Sequence, residues 1–240
     1  MTLTEALQRF NRKERHWLVR DALGPASARL DEGFLGRVQA AVRLRDSDFE
    51  IDPGAWWAID FHIDWLVAAL HMIRHGQESA ATPQLNDPVV VTGSQQDIDL
   101  VIASGSTLVL VEAKGVGSWA GVGLDAKVAR LKALPISVID DSGQAGDVKV
   151  HLVLCSPGEP PPLNLSAWSP WMKADDKLLH IDLSVVAEAG PFLKVQRCSP
   201  KEAPEKELTH WKIITDVRSN RFVNKRSHAL DLTGILDRAD

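Results

Sequence analysis

Residues 96–103 read QDIDLVIA, residues 104–106 read SGS, and residues 107–114 read TLVLVEAK. Two apolar-rich runs flank the pair Gly105-Ser106, a two-residue hairpin signal. With the turn centred on that pair, Asp99 falls opposite Glu112 and Asp97 opposite Lys114. Side chains alternate along a strand, so all four are expected on one face of a sheet. Directly opposed side chains sit about 5 Å apart at Cβ, where like charges destabilise. Folding alone would not place Asp99 against Glu112 on strands that otherwise read as buried. A divalent cation resolves the conflict, because hard cations bind clustered carboxylate oxygens. Lys114 adds one positive charge two residues on. Two carboxylates, a cation and a lysine suit phosphodiester hydrolysis: the cation polarises the phosphoryl oxygen and acidifies water, and the lysine orients that water or offsets the developing charge.

Working outward, residues 2–22 read as a helix, with Thr2 and Glu5 as a capping box and Gly24-Pro25 as its stop. A second helix is expected over 30–43, with Leu30, Phe34, Leu35, Val38 and Val42 inward. Asp52-Pro53-Gly54 signals a turn. A third helix, dense in apolar residues, is expected over roughly 56–75. Strands are expected at 88–92, 148–155, 178–183 and 210–215 in addition to the two runs of the hairpin. Residues 115–123 carry four glycines and read as a loop, and 124–134 as a helix. Helices before, within and after a run of strands imply an α/β fold with a mixed sheet flanked by helices and an N-terminal helical extension. The expected division is an N-terminal helical segment, 1–55, packed on a core with a C-terminal extension, 56–240.

The chain has 240 residues, 45% hydrophobic and 25% charged, with two cysteines outside any CxxC spacing. That composition excludes collagen-like, disordered and disulfide-stapled classes and argues against a zinc ribbon. The opening MTLTEALQRFNRKER lacks the apolar core of a secretory signal, and the longest apolar run, Trp65–Leu70, is far too short to span a bilayer. A cytoplasmic protein without a membrane partner is the expectation. The net charge of −5 is unlike a basic nucleic-acid binder. Between Lys194 and His228, however, nine Lys or Arg face four Asp or Glu, which leaves room for a local phosphate-binding face or simply a solvated surface.

Asp99 followed by Glu112-Ala113-Lys114 at the end of the next apolar strand resembles the core of the PD-(D/E)XK nuclease superfamily. The resemblance covers roughly residues 56–155, and Ile98 stands where the motif's name has Pro. It implies a restriction-endonuclease-like fold and a Mg²⁺- or Mn²⁺-dependent nuclease, with DNA expected as the substrate ahead of RNA. By the same resemblance, Asp99, Glu112 and the Ala113 carbonyl hold the cation and Lys114 acts in the chemical step. Such nucleases often place another acid on the preceding helix, where Asp60 and Asp64 are candidates, with Asp64 favoured because it lies deeper. They also often contact the scissile phosphate from the following helix, where Lys127 and Arg130 share a side. Two active sites are often needed to cut both strands, so a homodimer is an option.

Trp119 could stack on a base or plug the core. His16, His62 and His151 read as structural. His71 and His75 have metal-capable spacing but no third ligand nearby. Two rival readings remain: a non-catalytic nucleic-acid-binding or interaction module with the same fold, and a metal-free α/β protein in which Asp97–Lys114 and a pairing of Glu112 with an Arg are structural salt bridges. No GxSxG, P-loop or HExxH motif supports another chemistry.

Overall fold

The computed structural model describes residues 1–24, 29–87, 89–93, 96–115, 119, 122–134, 138–160, 163–183, 193–198 and 210–215. The chain forms two compact units: Met1–Lys114 with Ser118–Asp182, and Gly115–Gly117 with Leu183–Asp240.

The hairpin read from residues 96–114 is present. Strands β2 (Asp97–Ser104) and β3 (Thr107–Ala113) pair antiparallel, with Leu100 opposite Val111 and Ser104 opposite Thr107. Gly105 takes a φ of +57° in the turn, where an L side chain would be strained. The expected helix over 56–75 is corrected: Trp56–His62 is a strand, β1, and the helix α4 covers only Ile63–His75. The aromatic and β-branched run Trp56-Trp57-Ala58-Ile59 suits a pleated surface, and β1 pairs antiparallel with the outer side of β2. Asp60 and Asp64 therefore do not share a helical face. Asp60 has a φ of +52°, and no pairing with β2 forms at that position. Ala58 and Phe61, on either side of it, both join the core cluster.

From β3 the chain crosses through helix α5 (Val122–Lys132) to the parallel strand β5 (Val148–Ser156). The short strand β4 (Gln144–Ala145) pairs with β5 on the way. Strand β7 (Lys177–Asp182) lies parallel to β5 and carries the two-residue strand β6 (Lys173–Ala174) at its far side. The sheet order is β1-β2-β3-β5-β7-β6, a mixed sheet as expected for this α/β class. A parallel pair cannot be closed by a tight turn, which is why α5 must lie between β3 and β5.

The N-terminal segment is two helices, α1 (Leu3–Gln8) and α2 (Glu14–Leu23), rather than one. Thr2 and Glu5 make the capping box. Helix α3 (Glu32–Val42) is capped by Asp31 and buries Leu35, Val38, Ala41 and Val42. On one sheet face, Ala58, Val101, Leu110 and Leu152 pack with Leu7 of α1, Leu66 and Leu70 of α4, and Val128 and Leu131 of α5. Helix α3 packs against β5 and β7. Each buried aliphatic side chain contributes about 1.5–3 kcal/mol, so this layering dominates stability. Among the described residues no helix is long and apolar enough to cross a membrane.

Residues 89–92 are not a strand, although β-branched. The Asn86 side chain accepts from the backbone N–H groups of Val90 and Val91 and donates to the Val91 carbonyl, which takes those groups out of any ladder. Pro88 lies outside the described residues. The second unit contains the antiparallel pair β8 (Leu193–Cys198) and β9 (His210–Thr215). The other basic residues counted between 194 and 228 lie outside the described residues.

Gly143 immediately precedes β4, and its carbonyl accepts from the Val150 N–H of β5 at 2.8 Å. Its φ is +86°, and a Cβ there would lie 2.8 Å from Trp171 Cβ and 3.0 Å from the Val150 carbonyl oxygen. Gly143→Ala is expected to cost at least about 2 kcal/mol, combining left-handed strain with a contact that backbone cannot relieve. Urea unfolding of the two proteins checks it.

Candidate functional site

The ends of β2 and β3 bring Asp99 and Glu112 to the same sheet face, as the hairpin register predicts. Helix α5 lies across that face and delivers Lys127 to both. Lys127 Nζ donates to Glu112 Oε1 at 2.8 Å and to Oε2 at 2.6 Å, and stands 3.7 Å from Asp99 Oδ1. The other Asp99 oxygen accepts from the Ala113 N–H at 2.7 Å. Asp99 thus closes the end of the hairpin with its side chain where the backbone ladder stops.

The two acids sit in unlike surroundings. Glu112 is 3% exposed, whereas the Asp99 side chain is 40% exposed. Burial first, and the neighbouring Asp99 charge second, push the Glu112 carboxyl up to about 7, with Lys127 opposing them. One ammonium therefore does not fully offset two carboxylates.

Lys114 follows β3. Its N–H donates to the Cys155 carbonyl at 2.8 Å, and its half-buried side chain makes no hydrogen bond or ion pair among the described residues. The expected juxtaposition of Lys114 with Asp97 is corrected. Asp97 lies opposite His62 of β1, where Lys13 Nζ meets its Oδ2 at 2.7 Å and His62 Nδ1 stands 2.5 Å from its Oδ1. Lys13 arrives from the turn before α2, and nothing in the local sequence announces that contact. His62 is thus part of a polar cluster rather than an isolated helix residue.

Asp64 and Arg130 form a pair of their own. The Arg130 guanidinium binds Asp64, and it also donates to the Gln96 side chain and the Val90 carbonyl. Asp64 additionally accepts from the N–H groups of Thr92 and Gly93 at 3.1 and 2.8 Å. These contacts bind α4, α5 and the 90–93 segment together one helical turn from Lys127. Asp60 pairs with Arg15 at 3.0 Å.

Trp119 and His151 are structural. Trp119 is buried and donates Nε1–H to Ser156 Oγ at 3.2 Å, so it fills the core instead of offering a stacking face. His151 is buried beside Arg45, and its pKa falls to about 4, chiefly through burial. The His71 and His75 rings lie 4.6 Å apart. Among the described residues no three His, Cys, Asp or Glu side chains form a metal-ligand group.

A divalent cation fits the Asp99–Glu112 pair in one specific respect. The pair offers hard oxygen donors and carries more negative charge than Lys127 neutralises. Magnesium commonly binds through one or two carboxylates and keeps several waters, so a third side-chain ligand is not required. No protein-family model, curated protein or solved structure matches this chain.

Proposed function

We propose that the chain is a Mg²⁺- or Mn²⁺-dependent nuclease that hydrolyses phosphodiester bonds in DNA, on a restriction-endonuclease-like core. The observation that carries this reading is the convergence of Asp99 and Glu112 on one sheet face beneath Lys127, with Lys114 two residues beyond Glu112. DNA as the substrate follows the resemblance of the DIDLVI and LVLVEAK segments.

In this reading Asp99, Glu112 and the Ala113 carbonyl hold the cation. When bound, it polarises a phosphoryl oxygen and lowers the pKa of a water. Lys114 orients the attacking water through its ammonium and donates to a non-bridging phosphate oxygen as charge accumulates there. Lys127, drawn off Glu112, is placed to donate to the same phosphate from α5. Asp64 and Arg130 position α5 through their mutual pair and touch no reacting atom. Asp97 is held by Lys13 and His62 and keeps the end of β2 in place.

One observation favours the second reading, a non-catalytic binding module: Lys127 already satisfies both Glu112 oxygens without a cation. A thermal-shift titration combined with a cleavage panel separates the two. For the nuclease, Mg²⁺ raises the unfolding midpoint and Glu112→Ala abolishes that rise, because a ligand of the native state must stabilise it. Cleavage of linear, branched or single-stranded DNA then appears with Mg²⁺ or Mn²⁺ and vanishes with EDTA. Nucleic-acid binding without a Mg²⁺-dependent shift or cleavage would establish the module instead.

A further inference from the structure

The segment around the start of α2 is the most basic part of the first unit's N-terminal region. Residues 9–20 contain Arg9, Arg12, Lys13, Arg15 and Arg20 against the single acid Glu14, a local excess of four positive charges on a chain of net charge −5. These cations are set against aromatic rings and acids along β1 and α4. Arg12 stands 5.5 Å from the Trp65 ring centroid, and Arg20 stands 5.9 Å from that of Trp57. Lys13 and Arg15 reach Asp97 and Asp60.

A cavity of about 490 Å³ opens at this place, lined by Arg12, Lys13, Glu14, His62, Trp65 and the Asp64–Gly93 corner. Of its two lining acids, Asp64 faces Arg130 and Glu14 is exposed at the start of α2. Asp97 lies behind the lining, where it meets Lys13 and His62. Arg12 differs: it is exposed, lies over an indole, and has no carboxylate partner among the described residues. Its guanidinium offers a flat cationic surface and N–H donors at the cavity mouth. The His62 ring meets Trp65 edge-on at 4.1 Å and fixes the aromatic wall. Asp97, at the back of the cluster, lies two residues from Asp99 on β2. Neighbours of that spacing sit on one face about 6–7 Å apart, roughly the span of one nucleotide.

We propose that this cavity seats one unpaired nucleotide of a polynucleotide strand, next to the bond held at Asp99 and Glu112. Arg12 takes the phosphate and stacks on the base, over the wall made by Trp65 and His62. The N-terminal helical segment thereby becomes the substrate-holding arm of the protein. A flat cation over an aromatic ring suits a base only when that base is out of a duplex, so the inference names single-stranded or frayed nucleic acid as the preferred ligand. It rests on the reading above that the chain handles nucleic acid.

The test is binding of a short fluorescent oligothymidylate and of a matching duplex to the full chain, by anisotropy in EDTA. The single strand is expected to bind at least about tenfold more tightly than the duplex. Arg12→Glu is expected to weaken single-strand binding by about tenfold and to reduce its salt dependence. Arg12→Lys, which keeps the charge but not the plane, is expected to recover only part of the loss. Arg12 is exposed, so an unchanged unfolding midpoint is expected in both variants. Equal affinity for duplex and single strand, Arg12→Glu binding within roughly twofold of wild type, or full recovery by Arg12→Lys would each overturn the proposal. The assay needs no cleavage. A chain that binds single strands through Arg12 but cuts nothing would remove the nuclease and keep this site; one that cuts but ignores Arg12→Glu would do the reverse.

Discussion

Lys114→Ala is expected to slow single-turnover cleavage by about two to three orders of magnitude, while nucleic-acid affinity falls by less than about tenfold. The contrast between the two lysines of the site motivates it. Lys127 is engaged by both Glu112 oxygens, whereas the Lys114 ammonium has no partner among the described residues. Its backbone is nevertheless fixed, because its N–H is bonded to Cys155 at the end of the β3–β5 ladder. A positioned cation without a structural partner suits a group reserved for charge that appears only during reaction. The structural alternative, a cross-hairpin link to Asp97, is removed by Lys13, which donates to that acid at 2.7 Å, with the His62 ring standing against its other oxygen. Stability should therefore change by no more than about 0.5 kcal/mol. Lys114→Arg keeps the charge in a different shape and should not restore full activity. Wild-type single-turnover rates in Lys114→Ala, normalised to the folded fraction, would exclude the lysine from the chemical step.

The hairpin was legible because its signals are local. Period-two alternation and a Gly-Ser turn set the register, and the register alone puts Asp99 beside Glu112. Strand β1 was not legible, because a short apolar run fits a strand or a buried helix equally well. Trp56–His62 runs without a break into the helical Ile63–His75, so no turn residue marks the change. That misreading concealed the Asp97–His62 pairing and moved Asp60 off the helix. The 89–91 run shows the opposite failure: its β propensity is real, but Asn86 takes the backbone groups a neighbouring strand would need. On α5 the shared side of Lys127 and Arg130 could be read from spacing. Their destinations could not, since Glu112 lies on β3 and Asp64 on α4, and only the packing of three elements decides which cation meets which acid.

Burial of Glu112 beside Asp99 should make metal-free stability fall as pH rises. Burial and Asp99 lift the Glu112 carboxyl from its ordinary 4.5 to about 7 in the folded chain. Between those values the folded chain holds more protons than the unfolded one, so raising pH favours unfolding. The loss across that window is on the order of 3 kcal/mol, and Glu112→Gln should remove it. Lys127→Met sharpens the effect by leaving Glu112 against Asp99 with no counterion. Breaking a buried pair on one side costs about 3–5 kcal/mol when the remaining partner is charged. The penalty should therefore be large near about pH 8 and much smaller near about pH 5, where Glu112 takes up a proton. Adding Glu112→Gln to Lys127→Met should recover most of the lost stability, because the orphaned charge is gone. Mg²⁺ should stabilise Lys127→Met more than wild type, since the cation no longer has to displace an ammonium from the same oxygens. Urea unfolding in EDTA and in Mg²⁺ at the two pH values measures all of these differences. A Lys127→Met penalty that is independent of pH would show that Glu112 does not carry the charge on which the site depends.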